Sequence, residues 1–254
     1  MAIITLTSDF GHRDAYAAIL KATILSKDPK INVVDISHDV DQSNIAQGAF
    51  IIGSAFRNFP ENTIHIVAVD SLGTSDNKII AAKIEGHFFI AADNGLLSLI
   101  SELNPEKVVL ISENGKSTFP SKDIMASAAV DLANGTMLEK AGSDYAEMKR
   151  FLKRSVRANE HAIIGHVVHI DHYGNLITNI KKEDFDTYSD GKSFIIRIGK
   201  EKIDSINYSP SEVEASDCFV LFNHLGVMEI GIKHGHAGKL LGLDYDSQIL
   251  VKFN

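Results

Sequence analysis

A single cysteine, Cys218, stands in the whole chain, so no intrachain disulfide and no metal site built from several thiolates is possible. It lies in the apolar run Cys218-Phe219-Val220-Leu221-Phe222, where a buried core thiol is expected rather than a nucleophile. Basic residues are in the minority: 25 Lys and Arg against 33 Asp and Glu give a formal charge of −8, with no Lys/Arg cluster to offset it. Such a chain repels phosphate backbones, and nucleic acid is not expected as a partner. No apolar run approaches the ~20 residues of a membrane span. The first residues carry neither the basic segment nor the long apolar core of a secretory leader, so a cytoplasmic location away from the membrane is expected. No G-x-G-x-x-G or Walker-type glycine loop follows a strand, and there is no G-x-S-x-G elbow, which argues against NAD, ATP and serine-hydrolase chemistry. The 11 histidines do not make a metal centre. His161, His166 and His169 have no acidic or thiol partner at a ligand spacing, and His234-Gly235-His236 sits in a Gly-rich turn, so no metal is expected.

What is present is an ordinary globular balance, 44% hydrophobic and 23% charged over 254 residues, enough for one large domain or two modest ones. Residues 3–7 read as a buried strand, 14–25 as a helix with Tyr16, Ile19, Leu20, Thr23 and Ile24 on one side, and 31–36 as a second strand. A helix over 45–56, a strand over 63–70, a strand pair at 78–84 and 87–92, a helix over 95–103, a strand at 108–111 and a helix over 124–134 follow. Strands alternating with helices predict an α/β domain with a central, mostly parallel sheet over residues 1–145. Residues 146–160 read as a charged helical connector, with Met148, Phe151 and Leu152 inward. From residue 161 to 254 the signals are short strands at 162–170, 176–180, 194–198, 218–222, 228–232 and 248–251, separated by turns, which predicts a small all-β domain.

Ligands of doubly wound sheets gather at the carboxyl ends of the strands. Asp9, His38, Asp70 and Asp93-Asn94 each stand just past a predicted strand, so they converge on one edge. Asp9, in Ser8-Asp9-Phe10-Gly11, suits a pair of vicinal hydroxyls or, equally, a cap on free backbone N–H groups. Asp14 opens the first helix, where its charge favours the helix dipole. Asp70 can orient water, bind a cation or cap its loop. Asp93-Asn94-Gly95 is a turn signal. In the second domain the densest polar cluster is Asp171-His172-Tyr173-Gly174-Asn175, which reads either as a hairpin turn or as a base site. In the second reading Tyr173 stacks on a base and the Asn175 amide offers it both a donor and an acceptor.

Taken in order, these segments resemble the S-adenosylmethionine hydroxide adenosyltransferase family, relatives of the fluorinase and chlorinase. The matching stretches are Leu6-Thr7-Ser8-Asp9-Phe10-Gly11 with Asp14, Val34-Asp35-Ile36-Ser37-His38, Val69-Asp70, Ala92-Asp93-Asn94-Gly95-Leu96-Leu97, Thr118-Phe119 with Asp123-Ile124, residues 170–180, and Asn223 with Gly226, Glu229 and Ile230. The resemblance implies an N-terminal α/β sandwich followed by a small β-barrel domain, and a homotrimer with its ligand at subunit interfaces. It also implies attack on the ribose C5′ of S-adenosylmethionine without a cofactor, water being the nucleophile in hydrolytic members. Carried over, Asp9 would hold the ribose hydroxyls, Asp14 and Asp171 the ammonium, and Tyr173 and Asn175 the adenine. His224 falls at a carboxylate-binding position and His234 beside the base, with Asp93, Asn94 and Asn223 completing the set.

Hydrolytic members surround the water with an Asp, an Arg and a His. Asp70 matches the Asp. The Arg position falls on Asp76, or on Asn77 without the one-residue gap, and Lys78 is the nearest cation. The His position is Pro120, which has no N–H to donate. Ser121 stands where the fluorinase also has a serine, and with Asp70 it makes the catalytic pair expected here. Two alternatives accompany hydrolysis: a protein that binds S-adenosylmethionine or adenosine without chemistry, and transfer to a halide. Against the last, a carboxylate at Asp70 would repel a halide by about 4 kcal/mol at roughly 4 Å and an effective dielectric of about 20.

Overall fold

The structure is a computed structural model that describes residues 2–72, 78–112 and 117–254. The chain divides into two compact units, Met1–Leu152 and Lys153–Asn254.

Among the described residues the first unit carries a seven-stranded sheet. Its strands are β1 (Ile3–Ser8), β2 (Asn32–Ser37), β3 (Ile64–Ala68), β4 (Ile79–Ile84), β5 (His87–Ala92), β6 (Lys107–Ser112) and β7 (Ser143–Asp144), in the spatial order β2-β1-β3-β5-β4-β6-β7. The sheet is mixed: β2, β1, β3 and β5 run parallel, whereas β4 pairs antiparallel with β5 and β6, and β6 with β7. The tight turn Glu85-Gly86 makes the difference, since a two-residue connection can only return antiparallel. Both residues have positive φ, 48° and 77°.

The parallel strands read as near-continuous apolar runs because both faces are covered. Ile64, Ile66 and Ala68 of β3 join one core with Leu20 and Ile24 of α1 (Tyr16–Lys27) and with Met125, Ala129 and Val130 around α4 (Ala126–Ala133). Val67, between them, faces Ala49 and Ile52 of α2 (Ile45–Ala55), Phe56, and Leu97 of the single turn α3 (Leu97–Ile100). On α1 the buried positions are Ala17, Leu20 and Ile24, while Tyr16 and Ile19, expected inward, are exposed. The helix expected over 95–103 is only that single turn. A further turn, α5 (Leu138–Ala141), leads into β7.

The helical connector expected over 146–160 does not form. Its amide donors are captured from the side: Lys149 N–H donates to Asp93 Oδ1 at 2.9 Å and Phe151 N–H to Ser98 Oγ at 2.9 Å. The Phe151 ring occupies the space over Gly95, where a Cβ would meet it at 2.4 Å. Met148 is buried as expected, but Leu152 is 99% exposed. Residues 157–159 join the following sheet as β8 (Arg157–Asn159).

The second unit is an antiparallel, nearly closed, barrel-like sheet in the order β12-β11-β15-β9-β10-β14-β13, with β8 paired to β9. Its strands are β9 (Ala162–Ile170), β10 (Leu176–Lys181), β11 (Phe194–Ile198), β12 (Glu201–Ile203), β13 (Cys218–Phe222), β14 (Val227–Ile232) and β15 (Gln248–Phe253). β9 serves both halves, pairing with β15 over residues 162–166 and with β10 over residues 167–170. At Gly165 the strand lies close to β10, where a Cβ would meet the Ile180 side chain at 2.3 Å. Two short helices absent from the sequence reading, α6 (Lys182–Ser189) and α7 (Ala237–Leu241), accompany the sheet. Cys218 is half-buried, and burial together with Glu201 pushes its thiol up to about 11, which keeps it protonated and inert.

Beneath the first sheet a polar chain crosses the core: Thr5 Oγ1 to His65 Nδ1 at 2.6 Å, and His65 Nε2 to His87 Nδ1 at 3.2 Å. His65 is fully buried against Phe56, Phe59 and Phe89. Burial, then the neighbouring His87, lowers its pKa to about 3. The unfolded chain therefore binds a proton near the ordinary value that the folded chain refuses, and stability falls as pH drops through that window. We expect His65 to remove about 2 kcal/mol of stability between about pH 7 and about pH 5. Urea denaturation should show a correspondingly shallower pH dependence in His65→Gln; equal slopes in the two proteins would contradict the assignment.

Candidate functional site

The carboxyl ends of β1, β2, β3 and β5 share one edge because these four strands run parallel. The turn after β1 is stapled to the end of β2. Ser8 Oγ lies 2.6 Å from His38 Nδ1, and Gly11, at φ 67°, donates its N–H to the His38 carbonyl at 2.7 Å. His38 is fully buried, and its Nε2 lies 3.1 Å from Asp35 Oδ1 without the alignment of a hydrogen bond. At Asp35, partial burial is outweighed by Lys21 and His38, which hold its carboxyl below the usual range.

Asp9 follows β1 and holds the edge together. Its Oδ2 accepts the backbone N–H of Ser43 at 3.0 Å and of Asp70 at 3.1 Å. Both donors belong to residues in the left-handed region, Ser43 at φ 58° and Asp70 at φ 49°. Asn94, almost fully buried, supports the same loop: its Nδ2 donates to the Val69 carbonyl at 2.9 Å and, at 3.4 Å, to that of Asp70.

Asp9, Asp70 and Ser121 line one cavity of about 440 Å³ with Gln42, Ser43, Ser71, Leu72 and Pro120. Phe10, Tyr16 and Phe119 form its aromatic wall, with centroids 5.4–5.8 Å apart. Ser121 opens a π-helical turn, Ser121–Met125, closed by Ala126 N–H on the Ser121 carbonyl. The side chain is 1% exposed, and its Oγ, like that of Ser71, has no hydrogen-bond partner among the described residues. Buried hydroxyls are ordinarily satisfied, so two unpartnered ones on a cavity wall mark a place prepared for a polar guest.

Not every expected residue joins this cavity. Asp14 is exposed, two residues ahead of α1, and does not line it. Asp93 is buried with its Oδ2 on Tyr145 Oη at 2.8 Å and its Oδ1 on the Lys149 N–H, so it builds structure behind the edge. Lys78 places its ammonium over the Tyr145 ring at 5.3 Å and does not line the cavity. Asp76 and Asn77 lie outside the described residues. Tyr16, Ser43 and Ser71 escaped sequence reading. Tyr16 was legible only as part of a helix face, and Ser43 lies in the turn before a helix that Asn44 caps through Gln47 N–H.

A second cavity, of about 900 Å³, lies in the other unit and brings together Asp171, Tyr173, Asn175, His224 and His234. Phe219, Glu229, Lys233 and His236, not anticipated there, also line it. Gly174, at φ 87°, carries the His236 ring where a Cβ would stand at 2.3 Å, so the turn between β9 and β10 admits no side chain at that position. Tyr173 is 78% exposed on the same turn. Asn175 does not offer both ends of its amide, as expected from sequence. Its Nδ2 donates to Asp171 Oδ2 at 3.3 Å and to Glu229 Oε1 at 2.9 Å. Asn223 stands behind the cavity, its Nδ2 on Glu229 Oε2 at 3.1 Å and its Oδ1 on Leu225 N–H at 2.9 Å. Among the described residues no group of three His, Cys, Asp or Glu is placed to hold a metal ion.

Left-handed backbone costs roughly 1–2 kcal/mol for a residue with a Cβ and nothing for glycine. Asp70→Gly is therefore expected to be about 1 kcal/mol more stable than Asp70→Ala in urea denaturation. Equal stabilities would show that the turn carries no strain.

Two family descriptions match the chain: SAM hydroxide adenosyltransferase N-terminal domain over residues 4–142, and its C-terminal domain over residues 165–250. A protein of Methanocaldococcus jannaschii named (R)-S-adenosyl-L-methionine hydrolase is 31% identical, covering 98% of this chain and 95% of that protein. A fluorinase of Nocardia brasiliensis is 29% identical over 77% of each chain. A solved protein from Thermotoga maritima superposes with a TM-score of 0.88 at 27% identity, covering 98% of this chain and 99% of the other. No helix among the described residues is long and apolar enough to cross a membrane. With both halves matched in order, over residues 4–142 and 165–250, the chain belongs to the SAM hydroxide adenosyltransferase family.

Proposed function

We propose that this protein hydrolyses S-adenosylmethionine to adenosine and methionine, acting on the (R) epimer for which its relatives are named. The observation that carries this reading is the unpartnered, buried Ser121 Oγ on the same wall system as the Asp70 carboxylate. A water held between them has an acceptor on one side and a hydroxyl on the other. It attacks C5′, the C5′–S bond breaks, and sulfur keeps the electron pair and leaves as neutral methionine. The proton released by the attacking water passes to Asp70 or to solvent. The sulfonium is a good leaving group at the outset, so alignment and exclusion of bulk water supply most of the acceleration, and no cofactor is needed. The aromatic wall of Phe10, Tyr16 and Phe119 serves that exclusion.

Asp9 holds the ribose hydroxyls, with Oδ2 fixed by two backbone amides and Oδ1 facing the sugar. Asp171 holds the ammonium; Asp14, outside the cavity, contributes at most from a distance. Tyr173 and Asn175 receive the adenine, with His234 at its rim, and His224 binds the carboxylate. Asn94 acts through the Asp70 loop, and Asp93 and Asn223 through the segments they anchor. The protein works as a cytoplasmic homotrimer with the ligand at subunit junctions, a reading supported by the family resemblance. Charge at Asp70 disfavours halide as the nucleophile.

Incubation of the full chain with S-adenosylmethionine in chloride buffer is expected to yield adenosine and methionine in equal amounts, with no 5′-chloroadenosine. Asp70→Asn should slow adenosine release by about 10²-fold or more, the usual scale for losing a proton acceptor, and Ser121→Ala by about tenfold. Unreacted substrate after prolonged incubation would replace hydrolysis by binding alone.

A further inference from the structure

We propose that Glu229 is a positioning residue that fixes the donor–acceptor sense of Asn175, and with it the protein's preference for a 6-aminopurine over a 6-oxopurine. The inference rests on the reading above that Asn175 meets the base.

An amide side chain offers two donors at one end and an acceptor at the other, and a half-turn exchanges them. In Asn175 both donors are engaged by carboxylates, Asp171 Oδ2 at 3.3 Å and Glu229 Oε1 at 2.9 Å. A flipped amide would set its oxygen against two carboxylates, so only one orientation is stable. That orientation leaves Oδ1, which accepts no hydrogen bond among the described residues. Oδ1 lies over Gly231, 2.6 Å from where a Cβ would stand, and beside Phe219, whose ring would meet the same Cβ at 2.1 Å. Phe219 and Asn175 both line the cavity. The wall therefore presents an acceptor next to an aromatic ring, which suits an exocyclic amino group and opposes a carbonyl.

Glu229 cannot be exchanged for glutamine without conflict. Its other oxygen, Oε2, accepts Asn223 Nδ2 at 3.1 Å, and Asn223 is itself fixed because its Oδ1 accepts the Leu225 N–H at 2.9 Å. A glutamine at position 229 must give its oxygen to Asn223 and turn its NH₂ toward Asn175. Asn175 then faces a donor on one side and Asp171 on the other, and neither orientation of its amide is satisfied.

The test is calorimetric titration of the full-length protein with adenosine and with inosine, for the parent, Glu229→Gln and Glu229→Ala. The parent is expected to bind adenosine at least about tenfold more tightly than inosine, the scale set by one unpaired polar group. In Glu229→Gln that ratio should fall to within about threefold. Glu229→Ala, which leaves the amide held only by the longer bond to Asp171 Oδ2, should also lower the ratio, and carries the comparison if the glutamine variant does not fold. A purely structural role would weaken both nucleosides alike, and a ratio unchanged in the folded variants overturns the proposal. If the parent binds neither nucleoside, the adenosyl reading falls and this inference falls with it; adenosine selectivity that survives both substitutions sinks the inference alone.

Discussion

One carboxylate oxygen organises the strand-end edge of the first unit. Parallel strands end with backbone N–H groups that the sheet itself no longer pairs, and these must find acceptors. Asp9 Oδ2 takes two of them, from Ser43 and Asp70, and so ties the end of β1 to the loop after β3 and to the turn before α2. Both donors sit at positive φ, which a residue with a side chain adopts only when its surroundings over-determine it. A charge-assisted acceptor is among the stronger ways to do so. The strain is local, and one of the two residues that carry it, Asp70, lines the cavity. Asn94 reinforces the same loop from beneath, through carbonyls rather than amides.

The second unit solves a similar problem with the same polarity. There Asp171 and Glu229 accept from the Asn175 side chain, and Asp171 from its backbone N–H as well, so both acids on the cavity wall serve as fixed acceptors. In both cavities some of the polar groups are engaged by the protein, Asp9 through one oxygen and Asn175 through its NH₂, while Asp70, the two unpartnered hydroxyls and the aromatic faces line the space beside them. Glycine sets the clearances, Gly174 under His236 and Gly231 under Asn175 and Phe219. A cavity of this kind relies on placement rather than on a reactive side chain. That matches a substrate whose leaving group is already activated.

Much of this was legible in the sequence, for physical reasons. The buried strands announce themselves as apolar runs ending in an acid, which is how Asp9 and Asp70 were found. β9, β11 and β13 fall on the expected residues because alternation and turns bound them sharply. The helix expected over 146–160 failed because its periodicity is real but its amides are captured by Asp93 and Ser98, contacts about fifty residues away that no local pattern reveals. Tyr16 was placed inward for the same reason: helical spacing gives a face but not which neighbour covers it, and here the ring joins Phe10 and Phe119 at the cavity. α6 begins on a lysine with no side-chain cap and was invisible beside the strands around it. Asp93 stood out as a turn acid and Asn223 through the family resemblance, yet their atoms are committed to the scaffold. Glu229 entered only as one of the residues carrying the family resemblance, since a lone glutamate on a predicted strand says nothing of the two amides it joins.

The central claim is that oxygen from water becomes bonded to the ribose C5′. Hydrolysis in ¹⁸O-enriched water, followed by mass spectrometry of the products, reads this directly. The account predicts one heavy oxygen in adenosine and none gained by methionine. Methylthioadenosine accompanied by labelled homoserine would place the attack on the other side of the sulfonium and contradict it.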